Sequence, residues 1–343
     1  MNVLEHISLA SYTTFRVGGA ARFFAVVSTE HELEEALAFA KMNSLPVFIL
    51  GGGSNIVVSD EGFSGIVIKN EIRGITFKES EEGILCTVGG GENWDAFVSK
   101  CVGQGLSGLE LLSGIPGTVG AAPVQNIGAY GASIRDAIQE VRIYDRRINS
   151  FRTLKRDECG FSYRSSIFKE NPGRSIISKV IFRVSRDKPQ MSAYPDLAAL
   201  FDHMPSPSAS EIREAVIKTR AAKGMVIMDG YESYRSAGSF FKNSVISKNV
   251  FDKLPPLSCR FPWFWELPDG RIKVAAACLI QQTGFEKGYR EGEVGLSSLH
   301  TLAIVNYGGA SARQISDFAN MIQDSVEKRF GIVLEPEVQF VGF

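Results

Sequence analysis

The sequence predicts a two-domain protein of mixed helix-and-sheet class, with an α+β domain followed by an α/β domain. Two glycine-rich loops lie next to strand-like runs in the first half, at 50–55 and 113–131. A polar, proline-containing stretch at 186–189 precedes a second half that is rich in helical patterns. With 343 residues and 44% hydrophobic content, the chain is long enough for more than one domain with its own core.

The longer loop has the composition of a segment that wraps a ligand. Its sequence, SGIPGTVGAAPVQNIGAYG, excludes a long regular element. Glycine lets backbone N–H groups approach a ligand closely, and proline stiffens the neighbouring turns. A single loop of this kind is equally compatible with an ordinary surface loop. The second loop, LGGGSN at 50–55, favours ligand binding, because two backbone cradles suggest one long phosphate-containing ligand.

The shorter loop differs from the commonest dinucleotide-binding motif. In a Rossmann motif the glycines end a strand and open a helix whose N-terminus holds the pyrophosphate. Here the β-branched run Ile56-Val57-Val58 follows the loop and predicts a strand. The two loops therefore predict FAD held in a different way.

The first domain is predicted to cover residues 1–188, in two lobes of about 1–70 and 71–188. Thr29 and Glu32 form a capping box ahead of a helical pattern, and Asn93 caps a second helix. The main strand-like runs are at 23–27, 47–50, 56–58, 65–68, 83–88, 140–145 and 176–184. In the first lobe the order predicted is strand, helix, strand, loop and two further strands.

The second domain is predicted to cover residues 189–343 and to be α/β. Breaks in composition at 187–189 and 205–208 precede a helical pattern at 210–223, which ends in basic residues. An amphipathic helix is predicted at 310–330, between strands at 301–306 and 332–341. These three elements predict a βαβ-type unit, with Glu337 in its final strand.

Charge and composition narrow the class of protein. The net charge is −1 and no basic block stands out, so nucleic acid is not an expected partner. No run approaches the length of a spanning helix, and we expect no membrane association and a cytoplasmic location. The five scattered cysteines predict reduced thiols, the four isolated histidines are expected at the surface, and no metal site is expected.

Several separated motifs are similar to those of one family. They comprise PVQNIGAYG in the long loop, YRSSIF at 163–168, GSFFKN at 238–243 and LEPEV at 334–338, besides the 50–55 loop. Together they span almost the whole chain and form a specific combination. The chain resembles the bacterial UDP-N-acetylenolpyruvoylglucosamine reductases of peptidoglycan precursor synthesis. Tyr194, in an extended middle region, resembles the form of the family with a tyrosine-bearing substrate loop.

The resemblance implies a fold and an activity. The fold would be an FAD-binding domain of the PCMH type, like that of vanillyl-alcohol oxidase, with a C-terminal α/β substrate domain. The activity would be reduction of UDP-N-acetylglucosamine enolpyruvate to UDP-N-acetylmuramate by NADPH through non-covalently bound FAD. Hydride would pass from NADPH to flavin N5 and then to the vinyl carbon. We expect the enzyme to be a monomer.

The resemblance also implies three catalytic residues. Hydride addition to a vinyl ether bearing a carboxylate places negative charge on that carboxylate, so a cation and a donor must face it, and an acid must protonate the neighbouring carbon. Arg164 matches the cation, and a protonated Glu337 would hydrogen-bond the same carboxylate. Ser239 matches the proton donor, either within a relay or against a strongly basic intermediate.

The remaining site residues implied by the resemblance bind ligands. Those expected at the substrate or the nicotinamide nucleotide are Tyr163, Tyr194, Lys223 and Asn243. A surface aromatic, a helix end and a turn residue are the ordinary alternatives for Tyr194, Lys223 and Asn243. Those expected at FAD, chiefly through backbone N–H groups, are Gly51, Gly52, Gly53, Ser54, Asn55, Gly117, Gly120, Gln125, Asn126 and Gly128.

Two departures and two alternative functions accompany this interpretation. Thr13 stands where the family usually has asparagine, and Trp265 aligns with a common substrate-pocket tyrosine. An FAD oxidase of sugars or hydroxy acids is one alternative, although such an enzyme would not need the GSFFKN motif or a distal glutamate. A catalytically silent UDP-sugar-binding protein is the other, but it would be expected to lack one of Arg164, Ser239 and Glu337.

Overall fold

The structure is a computed structural model that describes residues 1–189, 191, 194–201, 206–227, 235–259 and 262–343. Its contacts divide the chain into two compact units. The first unit comprises Met1–Ile7, Ala20–Gly53 and Phe63–Arg220, and the second comprises Ser8–Gly19, Ser54–Gly62 and Ala221–Phe343. This division differs from the predicted boundary at residue 188, because it falls after Arg220 and takes two N-terminal segments into the second unit.

Among the described residues, the strands of the second unit have two or three residues, and most strands of the first unit are longer. In chain order they are β1 (Val3–Ser8), β2 (Ala20–Val27), β3 (Val47–Leu50), β4 (Ile56–Val58), β5 (Phe63–Asn70), β6 (Ile75–Ser80), β7 (Gly83–Gly89), β8 (Gly128–Ala129), β9 (Ala132–Ser133), β10 (Ile138–Asp145), β11 (Ser150–Lys155), β12 (Ser175–Val184), β13 (Ser244–Ile246), β14 (Phe264–Glu266), β15 (Ile272–Val274), β16 (Arg290–Glu291), β17 (Val294–Leu296), β18 (Ile304–Asn306) and β19 (Gln339–Val341).

Most of the helices begin after a residue whose side chain caps them. In chain order the α-helices are α1 (Glu30–Met42), α2 (Trp94–Gly103), α3 (Ile167–Glu170), α4 (Pro195–Ala198), α5 (Ala209–Ala222), α6 (Lys248–Phe251), α7 (Ala276–Gln282) and α8 (Ala312–Phe330). The side chains of Thr29 and Asn93 accept hydrogen bonds from Glu32 N and Ala96 N, so both predicted N-caps are present. The capping box predicted at Thr29 is incomplete, because Glu32 Oε2 accepts from Ser28 N instead of Thr29 N. Helix α8 has a capping box at Ser311 and ends at Gly331, whose φ of +66° suits glycine.

Two large sheets and the small β8-β9 hairpin lie in the first unit, and the strands of the two large sheets fall on either side of residue 70. One sheet has the order β1-β2-β5-β3, in which β2 and β3 run parallel to β5. Helix α1 packs Leu33 and Leu37 into a core with Ile66 and Ile68 of β5. The other sheet, β11-β10-β12-β7-β6, is antiparallel throughout. It shares a second core with α2.

Helix α5 belongs to the first unit because its apolar face packs there. Ile212 and Val216 lie in one buried cluster with Leu111, Leu197 and Phe201. These contacts explain why the division between units falls after this helix and not at the polar stretch near residue 188.

The second unit does not contain the predicted βαβ-type unit. Helix α8 is buried along one face, as its periodicity predicts, but the strands beside it belong to different sheets. Strand β18 pairs with β17, whereas β19 pairs in parallel with β4. Strand β4 was predicted to extend the first lobe and instead lies in the second unit.

The predicted strand at 332–341 was too long. Regular pairing begins only at Gln339. Pro336 has no N–H to donate, and the next N–H, of Glu337, donates to Phe240 O at 2.7 Å. The segment before β19 is therefore held by single bonds to the 240–242 segment.

The prediction of five reduced thiols was wrong for two cysteines. Cys259 and Cys278 form a disulfide, whereas Cys86, Cys101 and Cys159 are free and buried. The pair is 19 residues apart and lacks a CxxC spacing, so only tertiary structure brings the two together. Among the described residues, no helix is long and apolar enough to cross a membrane, and no group of three or more potential ligand side chains could hold a metal ion.

Candidate active site

The two glycine loops meet in the first unit, at Gly51-Gly52 and Gly117-Thr118. A Cβ atom on Gly52 would lie 2.6 Å from Gly117 Cα, and one on Gly51 would lie 2.8 Å from Thr118 Oγ1. Gly117 has a φ of +117°, which side-chain-bearing residues rarely adopt. The backbones of the two loops are thus in direct contact, as expected if both loops bind one ligand. They fit a cofactor that is held mainly by backbone N–H groups.

Two polar residues of the long loop brace it rather than project from it. Asn126 is buried, its Nδ2 donates to Ser162 O at 2.8 Å, and its Oδ1 accepts from Ser133 Oγ at 2.8 Å. Gln125 Oε1 accepts from Lys169 Nζ at 3.1 Å. Any contact of Asn126 with FAD is therefore left to its backbone, which has a φ of +46°.

Arg164 lies at the tip of a tight turn. Ser162 and Ser165 exchange backbone hydrogen bonds of 3.0 and 3.2 Å, which leaves Tyr163 and Arg164 as the two turn residues. Arg164 has a φ of +54°, a left-handed conformation that costs a non-glycine residue roughly 1–2 kcal/mol. A strained backbone at a candidate catalytic residue is a recognised mark of a functional position.

The side chain of Arg164 is directed to the long loop. Its Nη2 donates to Gly128 O at 2.8 Å, and Asn126 of the same loop binds the turn from the other side. A Cβ on Gly128 would lie 2.8 Å from Ala132 O and 3.3 Å from Arg164 Nη1, so glycine is needed there. Tyr163 is 48% exposed and lies beside the Arg164 guanidinium, which is 5.7 Å from the ring centroid.

Tyr194 packs on the same loop. Its ring meets that of Tyr130 edge-on, with the centroids 5.5 Å apart, and Tyr130 projects from the β8–β9 hairpin of the long loop. The exposed fraction of Tyr194 is 38%, so one side of the residue faces solvent. This position supports a ligand-facing role over an isolated surface aromatic.

Arg220, at the basic end of the helix predicted at 210–223, is a half-buried cation whose Nε atom is fully buried. Burial lowers its pKa, as does Arg164, while Tyr130 and Asp95 oppose the change. A Cβ on Gly114 would lie 3.2 Å from Arg220 Nε, so the guanidinium reaches the start of the long loop. Helical periodicity could have predicted this position, because Arg220 lies on the same i, i+4, i+8 face as Ile212 and Val216, both of which are buried.

The carboxylate near Arg220 is already paired. Asp95 accepts two hydrogen bonds from Arg213, of 2.6 and 2.7 Å, and one from Gly114 N of 2.6 Å. Burial tends to raise the pKa of Asp95, and these hydrogen bonds outweigh that effect and lower it. Arg213 and Arg220 both lie close to Asp95, and the charge of Arg164 also acts on Arg220, so three guanidinium groups are clustered here, which suits an anionic ligand.

Ser239 and Glu337 are brought together in the second unit. Glu337 N donates to Phe240 O at 2.7 Å, and Phe241 forms an antiparallel bridge with Pro336. On the other side, Phe240 N donates to Leu302 O at 2.8 Å. Phe240 and Phe241 are fully buried and fix the segment, while Ser239 just before them is half-buried.

Ser54 and Asn55 of the shorter glycine loop also lie in the second unit. Asn55 Nδ2 donates to Glu337 O at 3.0 Å, and Gln339 N donates to Asn55 O at 3.0 Å. Asn55 therefore positions the backbone of the candidate catalytic glutamate. A motif predicted to hold only FAD has this second structural task.

Asn243 and Lys223 occupy polar positions of the second unit. Asn243 Oδ1 accepts from Ala276 N at 3.1 Å and so caps α7, which leaves the carboxamide nitrogen as the donor that it can offer a ligand. Lys223 follows the last residue of α5 and is close enough to His300 to affect its titration.

His300 differs from the surface position that was expected for each histidine. It is half-buried, and Leu302 N donates to its Nδ1 at 3.0 Å, so the proton of a neutral ring is on Nε2. Burial lowers the pKa of His300 to about 4, with further contributions from the Lys223 and Lys287 charges. His6 and His31 are exposed, and His203 lies outside the described residues.

Comparisons with known proteins identify two domains in the chain. A family model described as an FAD binding domain matches residues 21–147, and one described as the C-terminal domain of UDP-N-acetylenolpyruvoylglucosamine reductase matches residues 229–341. The predicted order, an FAD-binding domain followed by a C-terminal domain of the reductase, is confirmed.

Relatives match the chain over nearly its full length. The UDP-N-acetylenolpyruvoylglucosamine reductase of Thermobifida fusca is 40% identical over 98% of both chains, and that of Ralstonia nicotianae is 41% identical over 97% of both. The crystal structure of the Thermus caldophilus reductase covers 99% of each chain with a TM-score of 0.68 and 27% identity. The chain belongs to the UDP-N-acetylenolpyruvoylglucosamine reductases, flavin-dependent oxidoreductases of peptidoglycan synthesis.

Proposed function

We propose that the chain reduces UDP-N-acetylglucosamine enolpyruvate to UDP-N-acetylmuramate with NADPH. The observation that carries this proposal is the turn at Arg164, where a strained backbone and a hydrogen bond to Gly128 O fix a guanidinium at the long loop. A fork of parallel N–H donors matches the carboxylate that distinguishes this substrate from an ordinary UDP-sugar.

The residues proposed to hold FAD are those of the two glycine loops. They are Gly51, Gly52, Gly53, Ser54 and Asn55 in one loop, and Gly117, Gly120, Gln125, Asn126 and Gly128 in the other. When bound, FAD would accept a hydride from NADPH at N5 and give it to the vinyl carbon of the substrate. The grouping of the Arg220, Arg164 and Arg213 guanidinium groups supports this assignment, because clustered cations favour a diphosphate.

Arg164 would bind the substrate carboxylate and stabilise the negative charge that grows on it during hydride addition. Such a donor helps most if it is already aimed before the reaction, since it then needs no reorganisation. The hydrogen bonds of the Ser162–Ser165 turn and of Nη2 to Gly128 O supply that preorganisation. Tyr163, at the same tip, would line the substrate position.

Glu337 and Ser239 would act on the same intermediate with different roles. Glu337, in its protonated form, would donate a hydrogen bond to the carboxylate. Ser239 Oγ would deliver the proton to the carbon next to the carboxylate, which becomes basic once hydride has added. Their closeness through the Glu337 N to Phe240 O bond supports a shared task.

Three further residues would bind the remainder of the ligands. Tyr194 would contact the substrate from the Tyr130 side of the long loop, and Lys223 would neutralise diphosphate charge. Asn243 would donate through its carboxamide nitrogen, because its oxygen already accepts from Ala276 N. Cytoplasmic location and a monomeric state are also proposed, and cell fractionation and sedimentation velocity would test them.

The test is a steady-state assay with product identification. Purified protein should contain one FAD per chain, released by denaturation without proteolysis. It should consume NADPH only when UDP-N-acetylglucosamine enolpyruvate is present, and the product should be heavier than the substrate by two hydrogens. Flavin-containing protein that consumes NADPH at the same rate with UDP-N-acetylglucosamine, or with no sugar, would contradict the proposed substrate.

A further inference from the structure

The Cys259–Cys278 disulfide joins two segments whose other contacts are also known. Cys259 is half-buried and Cys278, in the first turn of α7, is fully buried, with their Cα atoms 6.0 Å apart. On one side of Cys259, Ser258 O accepts from Gln282 Nε2 at 3.0 Å, at the end of α7. Farther along the chain, Trp263 O accepts from Ala275 N at 2.7 Å, at the beginning of α7.

These non-covalent contacts mean that the disulfide is not the sole attachment. Leu257 and Trp263 also pack against the core of the second unit. Breaking the S–S bond would therefore loosen the attachment of Cys259 to α7 while the surrounding fold is kept. A bond of this kind can be made and broken in the native protein.

The two cysteines differ in exposure, so we expect Cys259 to react first with an external reagent. A small thiol or disulfide can reach the half-buried Cys259, whereas Cys278 is shielded. The other three cysteines are buried and free, so they are poor competitors for the same reagent.

The disulfide also touches the element that holds Asn243. Helix α7 begins at Ala276, whose N–H donates to Asn243 Oδ1, and Cys278 lies two residues farther on. Fixing the first turn of α7 fixes the hydrogen-bond donor that orients the Asn243 carboxamide. Asn243 is proposed above to bind the UDP-linked substrate or the nicotinamide nucleotide.

We propose that Cys259 and Cys278 are a reversible thiol–disulfide site, oxidised by a low-molecular-weight disulfide of the glutathione type, whose oxidised state binds UDP-sugar ligands more tightly through α7 and Asn243. The binding part rests on the proposed function, and the thiol chemistry does not.

The exchange balances in two steps. The Cys259 thiolate attacks glutathione disulfide, forms a mixed disulfide and releases one glutathione thiolate. The Cys278 thiolate then attacks the Cys259 sulfur, forms the internal disulfide and releases the second glutathione. Two cysteine thiols are oxidised, one glutathione disulfide is reduced to two glutathiones, and the reverse sequence restores the thiols.

The first experiment follows the thiols of the full-length holoenzyme. Protein is equilibrated in buffers with different ratios of reduced glutathione to glutathione disulfide, quenched with acid, denatured, alkylated and digested for mass spectrometry. We expect a peptide pair linked through Cys259 and Cys278 that increases with glutathione disulfide and disappears with excess glutathione. Cys86, Cys101 and Cys159 should be alkylated in every sample.

Three results would overturn the thiol site. They are a link that no ratio of glutathione to its disulfide alters, a stable glutathione adduct on Cys259 with Cys278 still alkylated, and pairing with one of the other three cysteines.

The second experiment measures ligand binding in both redox states, with UDP-N-acetylglucosamine as the probe in titration calorimetry. We expect the oxidised wild-type protein to bind about fivefold more tightly than the reduced protein, the low end of typical coupling between sites. Cys259→Ser should bind like the reduced wild type in both buffers. The matched control Cys159→Ser, altered at a buried thiol of the first unit, should keep the redox difference.

The outcomes separate this inference from the proposed function. Equal affinities in the two states of wild-type protein, with the thiol exchange observed, would overturn the link to Asn243 alone. Failure of UDP-N-acetylglucosamine to bind in either state would contradict the UDP-sugar assignment and the binding part, while the thiol result would stand.

Discussion

The two units hold their candidate catalytic residues by different means. In the first unit, Arg164 is fixed at the tip of a turn through a left-handed backbone and a side-chain bond to Gly128 O. In the second, Ser239 and Glu337 are placed by main-chain pairing between the 240–242 and 335–337 segments, in which their side chains take no part. A substitution at Arg164 therefore alters local structure as well as chemistry, whereas Ser239 and Glu337 can be changed with the backbone pairing intact.

The largest expected effect comes from Ser239→Ala. Removal of the proposed proton donor should slow reoxidation of the reduced flavin by substrate about 10²- to 10⁴-fold, with flavin reduction by NADPH nearly unchanged. Anaerobic stopped-flow measurement of each half-reaction checks this. An equal loss in both half-reactions would remove Ser239 from the role of proton donor.

Arg164→Lys should be the next most damaging change. Lysine keeps the positive charge but not the planar fork, and loss of a preorganised donor at a developing negative charge typically slows turnover roughly 10²- to 10³-fold. Steady-state kinetics with the enolpyruvyl substrate checks the result. Arg186→Lys, at an arginine whose ion pair with Glu79 is exposed, is the matched control and should be silent.

Glu337→Gln distinguishes a hydrogen bond from a proton transfer. The carboxamide can still donate to the substrate carboxylate, so turnover should stay within about tenfold of wild type, whereas Glu337→Ala, which leaves a partner unpaired, should lose more. Glu335→Gln, at an exposed neighbour paired with Lys242, is the control. Loss of turnover in the glutamine variant equal to that in the alanine variant would favour proton transfer by Glu337.

Acid should destabilise the two units in different pH windows. His300 has a pKa of about 4 against the ordinary 6.5, so the unfolded state binds more protons and stability present above pH 6.5 is lost as pH falls to 4. The loss is about 3 kcal/mol at most. In the His300→Asn variant, the midpoint of urea unfolding should depend less on pH between 6.5 and 4 than it does in the wild type. At still lower pH, protonation of Asp95 should destabilise the first unit. The stability that a carboxyl with a lowered pKa contributes is lost as pH falls through that pKa.

The smallest expected effect tests the strained turn itself. Arg164→Gly and Arg164→Ala should be similarly inactive. The free energy of unfolding of the glycine variant should be about 1 kcal/mol higher, because only glycine adopts a φ of +54° without cost. Urea unfolding of the two variants checks this difference. Equal stability would mean that the turn relaxes once the arginine is removed.

Local signals in the sequence predicted the four longest helices of the described residues, α1, α2, α5 and α8, but not the shorter ones. The caps at Thr29, Asn93 and Gly331 act within a few residues of the chain, and each predicted helix end was found within about two residues. The prediction that a strand and not a helix follows the 50–55 loop also depended on local sequence, because three β-branched residues stand there.

Features that depend on distant segments could not be predicted from the residues alone. The pairing of β19 with β4 and the bond from Asn55 to Glu337 join positions about 280 residues apart. The disulfide has no recognisable spacing. Arg220 was the exception, because its place on the buried face of α5 could have been inferred from helical periodicity.

The candidate catalytic residues were not predicted from local signals. Arg164, Ser239 and Glu337 were identified by resemblance, and the structure adds physical reasons in the turn geometry and the 240–337 pairing. Their roles stay predictions until the half-reactions are measured.

The most direct test of the account is an anaerobic double-mixing experiment on the wild-type holoenzyme. NADPH should bleach the visible absorbance of the bound oxidised flavin in roughly the time of one turnover. Subsequent mixing with UDP-N-acetylglucosamine enolpyruvate should restore the absorbance at a rate no slower than steady-state turnover. A flavin that NADPH bleaches but that this substrate leaves reduced would contradict the central claim.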